Sequence, residues 1–127
     1  MLNDTLAAVL TKIINAEKVG KREVMVRPAS KMIKTVLTIM NENNYVGQFE
    51  EMSDGKSLKV NLLGNLNKCG VIKPRFSSKR TELEKWEKRY LPAKDFGIIL
   101  ISTPLGVVTH NEAKERKTGG KLIAYCY

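Results

Sequence analysis

One histidine (His110), two cysteines (Cys69 and Cys126) and thirteen Asp and Glu residues hold the catalytic and metal-binding potential of this 127-residue chain. The cysteines lie far apart and no Cys/His spacing resembles a tetrahedral zinc site, so no metal and no cofactor are expected. A disulfide and a pair of reduced thiols both fit the sequence. Reduced, buried thiols are the ordinary state of isolated cysteines in a cytosolic protein. His110 follows Thr109, a candidate helix N-cap, and reads as an exposed helix-terminal residue. A Cys–His or Ser–His dyad would need a folded geometry that spacing alone does not supply. The carboxylates are interleaved with cations, as in Glu82, Glu84, Lys85, Glu87 and Lys88. That pattern suits a solvated helix face rather than a paired acid and base. With no Walker-type loop, dinucleotide fingerprint or nucleophile elbow, neither catalysis nor a small-molecule substrate is expected.

Chemistry for gripping a polyanion is more plentiful. Twenty-two Lys and Arg give a net charge of +9 and an isoelectric point near 9.7. A compact chain with that excess usually meets nucleic acid, the plainer alternative being a soluble basic protein. Residues 1–63 hold nine basic and seven acidic side chains, residues 64–127 thirteen and six. The second half is therefore the better candidate for holding a phosphate backbone.

Three segments there carry suitable groups. In Ser102-Thr103-Pro104-Leu105-Gly106, Pro104 fits the second position of a tight turn and Gly106 the fourth, which would display the hydroxyls of Ser102 and Thr103. In Lys117-Thr118-Gly119-Gly120-Lys121, two glycines permit close backbone approach to a ligand or positive φ, and two lysines flank them. A helix C-cap accounts equally well for one of those glycines. In the stretch 73–80, Lys73, Arg75, Lys79 and Arg80 are mixed with Phe76 and two serines, as on a nucleic-acid surface or an ordinary solvated loop.

The apolar pattern predicts the framework that must position these segments. Leu6, Val9, Leu10, Ile13 and Ile14 recur at helical spacing, with Asn3 or Asp4 as N-cap and Gly20 as closure. Glu23–Arg27 alternates like a half-buried strand ending at Pro28. Ser30 should cap a second helix that breaks at Asn43-Asn44. Strands near Tyr45–Met52 and Leu58–Leu63 flank a Ser53-Asp54-Gly55 turn. Beyond a boundary at Gly64-Asn65, residues 67–76 look extended, with Pro74 near an edge. A charged helix follows over Thr81–Arg89, anchored by Leu83 and Trp86 and stopped by Pro92. Phe96–Thr103 reads as a strand buried on both faces. A short helix over Thr109–Lys117 has Thr109 and Glu112 at capping-box spacing, and Leu122–Tyr127 forms a last strand. The expected class is α+β in two small lobes. The N-terminal lobe, 1–63, runs α-β-α-β-β; the C-terminal lobe, 64–127, is mostly β with a short helix. No segment resembles a targeting peptide or membrane span, so a cytoplasmic chain is expected.

Taken in order, these segments carry a family resemblance. Asn15-Ala16-Glu17-Lys18-Val19-Gly20-Lys21, Arg27-Pro28-Ala29-Ser30-Lys31, Leu66-Asn67-Lys68-Cys69-Gly70-Val71-Ile72, Pro74-Arg75-Phe76 and Leu91-Pro92 lead to the Ser102-Thr103…Gly106 turn. Glu112-Ala113 and Thr118-Gly119-Gly120-Lys121 complete the set. The chain resembles universal small-subunit ribosomal protein number eight, in the archaeal and eukaryotic form called fifteen-A in eukaryotes. The resemblance implies two α+β lobes that bind the central domain of small-subunit ribosomal RNA and support subunit assembly and translation in the cytosolic ribosome. It implies neighbouring ribosomal proteins as partners. It implies RNA contact at Ser102, Thr103, Gly119, Gly120 and Lys121, and a second surface on the N-terminal lobe, where Arg27, Ser30 and Lys31 are the candidates.

Two positions depart from the family's pattern. Pro104 stands where many relatives carry a small residue, often Ser, and brings neither hydroxyl nor amide donor. Lys121 stands where bacterial members usually have Glu; an ammonium donates where a carboxylate accepts, so a phosphate is the more natural partner. Composition alone also admits a free-standing nucleic-acid binder, or a small enzyme using Cys69 or His110.

Overall fold

A computed structural model of the chain describes residues 5–27, 30–72, 76–93, 96–104 and 106–127. Two compact units divide the chain, the first ending at Cys69 and the second beginning at Gly70. The Gly64-Asn65 break lies within the first. Asn3, Asp4, Pro28, Lys73, Pro74, Arg75 and Leu105 lie outside the described residues, as does the side chain of Arg80.

The first unit contains α1 (Thr5–Lys18), β1 (Glu23–Val26), α2 (Lys31–Glu42), β2 (Phe49–Glu51) and β3 (Leu58–Asn61). The face of α1 read from its periodicity, Leu6, Val9, Leu10, Ile13 and Ile14, is buried, and α1 packs on β1 and α2. The antiparallel sheet has the order β1-β3-β2. Its register sets Val24 opposite Val60 and Val26 opposite Leu58, so the buried residues of both strands share one face. Each such side chain contributes roughly 1.5–3 kcal/mol by leaving water. The Ser30 hydroxyl caps α2 by accepting from the Ile33 amide at 3.3 Å. The strand expected from Tyr45 begins only at Phe49, because the Tyr45 amide closes the end of α2 by donating to the Met40 carbonyl at 2.9 Å.

β4 (Cys69–Val71) crosses into the second unit. There follow β5 (Ser77–Ser78), a 3-10 turn (Arg80–Glu82), α3 (Leu83–Tyr90), β6 (Ile98–Thr103), β7 (Gly106–Thr109), α4 (His110–Glu115) and β8 (Gly120–Cys126). The strand order is β4-β8-β6-β7, with β5 also on β8. Ile98–Ile101 is buried without a break, as its continuous apolar run requires. Ile99, Ile101 and Leu122 meet Leu83, Trp86 and Leu91 in one core. Phe96 is excluded from that strand: it pairs with Ala93 and is 49% exposed. β7 is a strand that periodicity did not reveal, since Val107-Val108 is too short a signal between a glycine and a cap.

Three helices end in the same hydrogen-bonded closure. After α1, Lys21 N donates to Ala16 O (3.0 Å) and Gly20 N to Glu17 O (3.1 Å). After α2, Tyr45 N reaches Met40 O and Asn44 N reaches Asn41 O. After α4, Thr118 N donates to Ala113 O (3.0 Å) and Lys117 N to Lys114 O (3.2 Å). This is the Schellman pattern, which demands one left-handed residue just past the helix. Those residues are Gly20 (φ 78°), Asn44 (φ 64°) and Lys117 (φ 54°). Glycine and asparagine are the usual occupants; a lysine there is strained.

Candidate nucleic-acid interface

Strand register brings the two loops of the second unit together. Lys121 on β8 lies opposite Ser102 on β6 and, across its other edge, opposite Ser77 on β5. Directly opposed residues in antiparallel strands point to the same face. Ser77, Lys121 and Ser102 are all exposed, so they form a row across three adjacent strands.

Gly120 makes that adjacency possible. A Cβ there would stand 2.1 Å from the Ser102 carbonyl oxygen and 3.0 Å from Ile101 Cγ2. The missing side chain is therefore accounted for inside the protein, by the close approach of β8 to the end of β6, without any ligand. The positive φ offered by the Gly119-Gly120 pair is not needed for the helix cap, because Lys117 takes that conformation.

Thr103 differs from its neighbour. Alternation turns it to the inner face of β6, where it is 9% exposed and its hydroxyl donates to the Gly106 carbonyl at 2.7 Å. Ser102 displays its hydroxyl as expected; Thr103 spends its own on the hairpin. Pro104, fixed at negative φ, excludes the primed turns that most two-residue hairpins use. Gly106 carries positive φ, +117°.

Around the row, Lys117 is exposed and Thr118 half-buried, its hydroxyl on the Gly119 carbonyl at 3.2 Å. Lys79 is exposed, and its amide donates to Glu82 Oε1 at 3.3 Å. In the first unit, Arg27 is held by Ser57, with Nε donating to Oγ at 2.9 Å, and by Asp54 at 3.6 Å. Ser30 is spent as a cap, while Lys31 is exposed at the start of α2.

The residues with thiol or imidazole chemistry, Cys69, Cys126 and His110, are internal. Cys69 and Cys126 are free thiols, both buried. Burial pushes the Cys69 thiol up to about 12, so no thiolate is available near neutrality. His110 is fully buried, correcting the exposed position expected of it. Its Nδ1 accepts from the Ile99 amide at 3.1 Å, which fixes the neutral ring with the proton on Nε2. Nε2 lies 3.7 Å from the carboxylate of Glu87, which also pairs with Lys114. Glu87 is 3% exposed, so this member of the charged run is not on a solvated face. The periodicity did not show it, because its partners come from α4. Histidine and carboxylate here tie α3 to α4 and β6.

This basic α+β protein presents two hydroxyls and an ammonium on one exposed sheet face and keeps its thiols and imidazole inside. The family model for Ribosomal protein S8 matches residues 4–127. The chain belongs to that family: it is a small-subunit ribosomal protein that binds rRNA, a ribonucleoprotein component of translation. The family is structural rather than enzymatic. No helix among the described residues is long and apolar enough to cross a membrane.

Proposed function

We propose that the chain is a structural constituent of the cytosolic small subunit, of the archaeal/eukaryotic branch, that binds the central domain of the rRNA directly and supports subunit assembly. In this reading the C-terminal half, 64–127, grips the RNA through Ser102, Lys121 and the segment Lys117–Gly120, and the sequence adds Lys73, Arg75, Lys79 and Arg80 as further cationic contacts. Lys31 and Arg27 provide a weaker second contact near α2, alongside neighbouring ribosomal proteins. The observation that carries it is the register that places Lys121 beside Ser102 on an exposed face of the more basic half. Thr103 and Gly106 act by shaping the hairpin behind Ser102.

Filter binding to small-subunit rRNA across a salt series tests the assignment. Removing Lys121 or Lys117 should lower the log–log salt slope by roughly 0.7–0.9 per lost phosphate contact. Unchanged slopes for both would remove these loops from the interface. A nuclease footprint outside the central domain would refute the RNA address. Loss of the protein from small subunits after a high-salt wash would favour a free-standing binder instead.

A further inference from the structure

The row that contains Ser102 and Lys121 has a third member, Ser77, one of the two serines set among the basic residues of 73–80. Ser77 lies opposite Lys121 on the far side of β8 from Ser102. The three side chains share one exposed sheet face, and among the described residues none of their tips is drawn into an intramolecular hydrogen bond or ion pair. At the usual spacing of paired strands, Ser77 and Ser102 stand about 10 Å apart with the Lys121 stem between them. Ser78, the next residue, is buried and faces Gly120, so the strand turns only Ser77 outward.

The chemistry of the row is asymmetric. An ammonium can only donate, and its natural partner on a polyanion is a phosphate; a hydroxyl can both donate and accept. The ribose 2′-hydroxyl is the backbone group with the same dual capacity, and it is what separates RNA from DNA at a contact. We propose that Ser77 is an RNA-contacting residue that pairs with a ribose 2′-hydroxyl next to the phosphate held by Lys121. Ser102 meets the backbone on the phosphate's other side. The row thereby reads the sugar as well as the charge of one RNA strand crossing β5, β8 and β6. This inference rests on the assignment of Lys121 and Ser102 to the interface.

Nucleotide-analogue interference decides it. Small-subunit rRNA transcripts doped with phosphorothioate-tagged 2′-deoxynucleotides are selected for binding to the wild-type protein and to Ser77→Ala. The expected result is at least one 2′-deoxy interference position for wild type that is silent in Ser77→Ala. Affinity should fall about threefold to tenfold, the worth of one hydrogen bond, with the salt slope unchanged because no charge is lost. An identical interference pattern for the two proteins would overturn the proposal. So would an affinity loss in Ser77→Ala that is equal on fully 2′-deoxy backbone. Ser77 is exposed and the change to Ala leaves the backbone ladder intact, so folding is not at issue. The Lys121→Ala and Ser102→Ala proteins keep the two levels of inference apart. If both bind like wild type, the interface assignment is at fault. If they lose affinity while Ser77→Ala behaves as wild type, Ser77 alone is wrongly assigned.

Discussion

Replacing Lys117 by glycine should move stability and RNA binding in opposite directions. Lys117 closes α4 with φ 54°, a left-handed conformation that costs an L-residue about 1–2 kcal/mol. Glycine escapes that cost but loses about 0.5–1 kcal/mol more chain entropy on folding than a residue with a side chain. The net expectation for Lys117→Gly is a gain of about 0.5–1 kcal/mol. In a chain of this size that raises the unfolding midpoint by about 2–4 °C. The same change deletes an exposed ammonium beside the 118–121 loop, so the salt slope of rRNA binding should drop by roughly 0.7–0.9. Lys117→Ala is the matched control. It keeps the left-handed cost and loses the charge, so its slope should fall equally without any stabilisation. Thermal unfolding followed by circular dichroism and filter binding across salt read the two effects separately. If Lys117→Gly melts no higher than wild type, the left-handed Lys117 does not strain the fold. If it melts higher but binds with an unchanged slope, Lys117 is strained but does not contact a phosphate.

Other residues give equally direct tests. Gly120→Ala places a Cβ 2.1 Å from the Ser102 carbonyl, a backbone atom that cannot swing aside. A loss of about 1–3 kcal/mol, together with weakened rRNA binding, should show in urea melts and filter assays; a neutral substitution would mean that β8 does not run so close to β6. Glu87→Ala removes the buried carboxylate shared by Lys114 and His110. It should cost about 3 kcal/mol, the low end for a broken buried pair because Lys114 is 31% exposed; a cost below 1 kcal/mol by urea titration would deny the link between α3 and α4. The Asp54 carboxyl is held below its usual range, first by the Lys56 amide and then by the Ser57 amide. A lowered carboxyl stabilises the fold above its ordinary value of 3.8 and loses that effect as pH falls through the lowered one. The Lys56 and Ser57 amide resonances should therefore titrate below 3.8; a midpoint at or above it would break the assignment.

Much of the architecture was legible because local rules agree with it. The helical faces, the alternation of Val24 and Val26, the Ser30 and Thr109 caps and the Asp54 turn all follow from spacing and side-chain chemistry. Gly20 and Asn44 were readable as helix ends because they tolerate left-handed backbone cheaply. Lys117 was not, since nothing in its side chain announces φ 54°, and the nearby glycines drew the inference to the wrong residues. Burial of His110 and Glu87 was hidden for a related reason. Each looks like a surface residue on its own helix and becomes internal only when α3 and α4 pack.

The sequence by itself determined the class, the charge-rich half and the two loops, because those depend on composition, short-range pattern and motif order. Only the tertiary structure decided which hydroxyls face outward. Strand alternation separates Ser102 from Thr103, and antiparallel register brings Ser77, Lys121 and Ser102 into one row from positions far apart in the chain. Register is a property of strand pairs, fixed by long-range packing and by the missing side chain at Gly120.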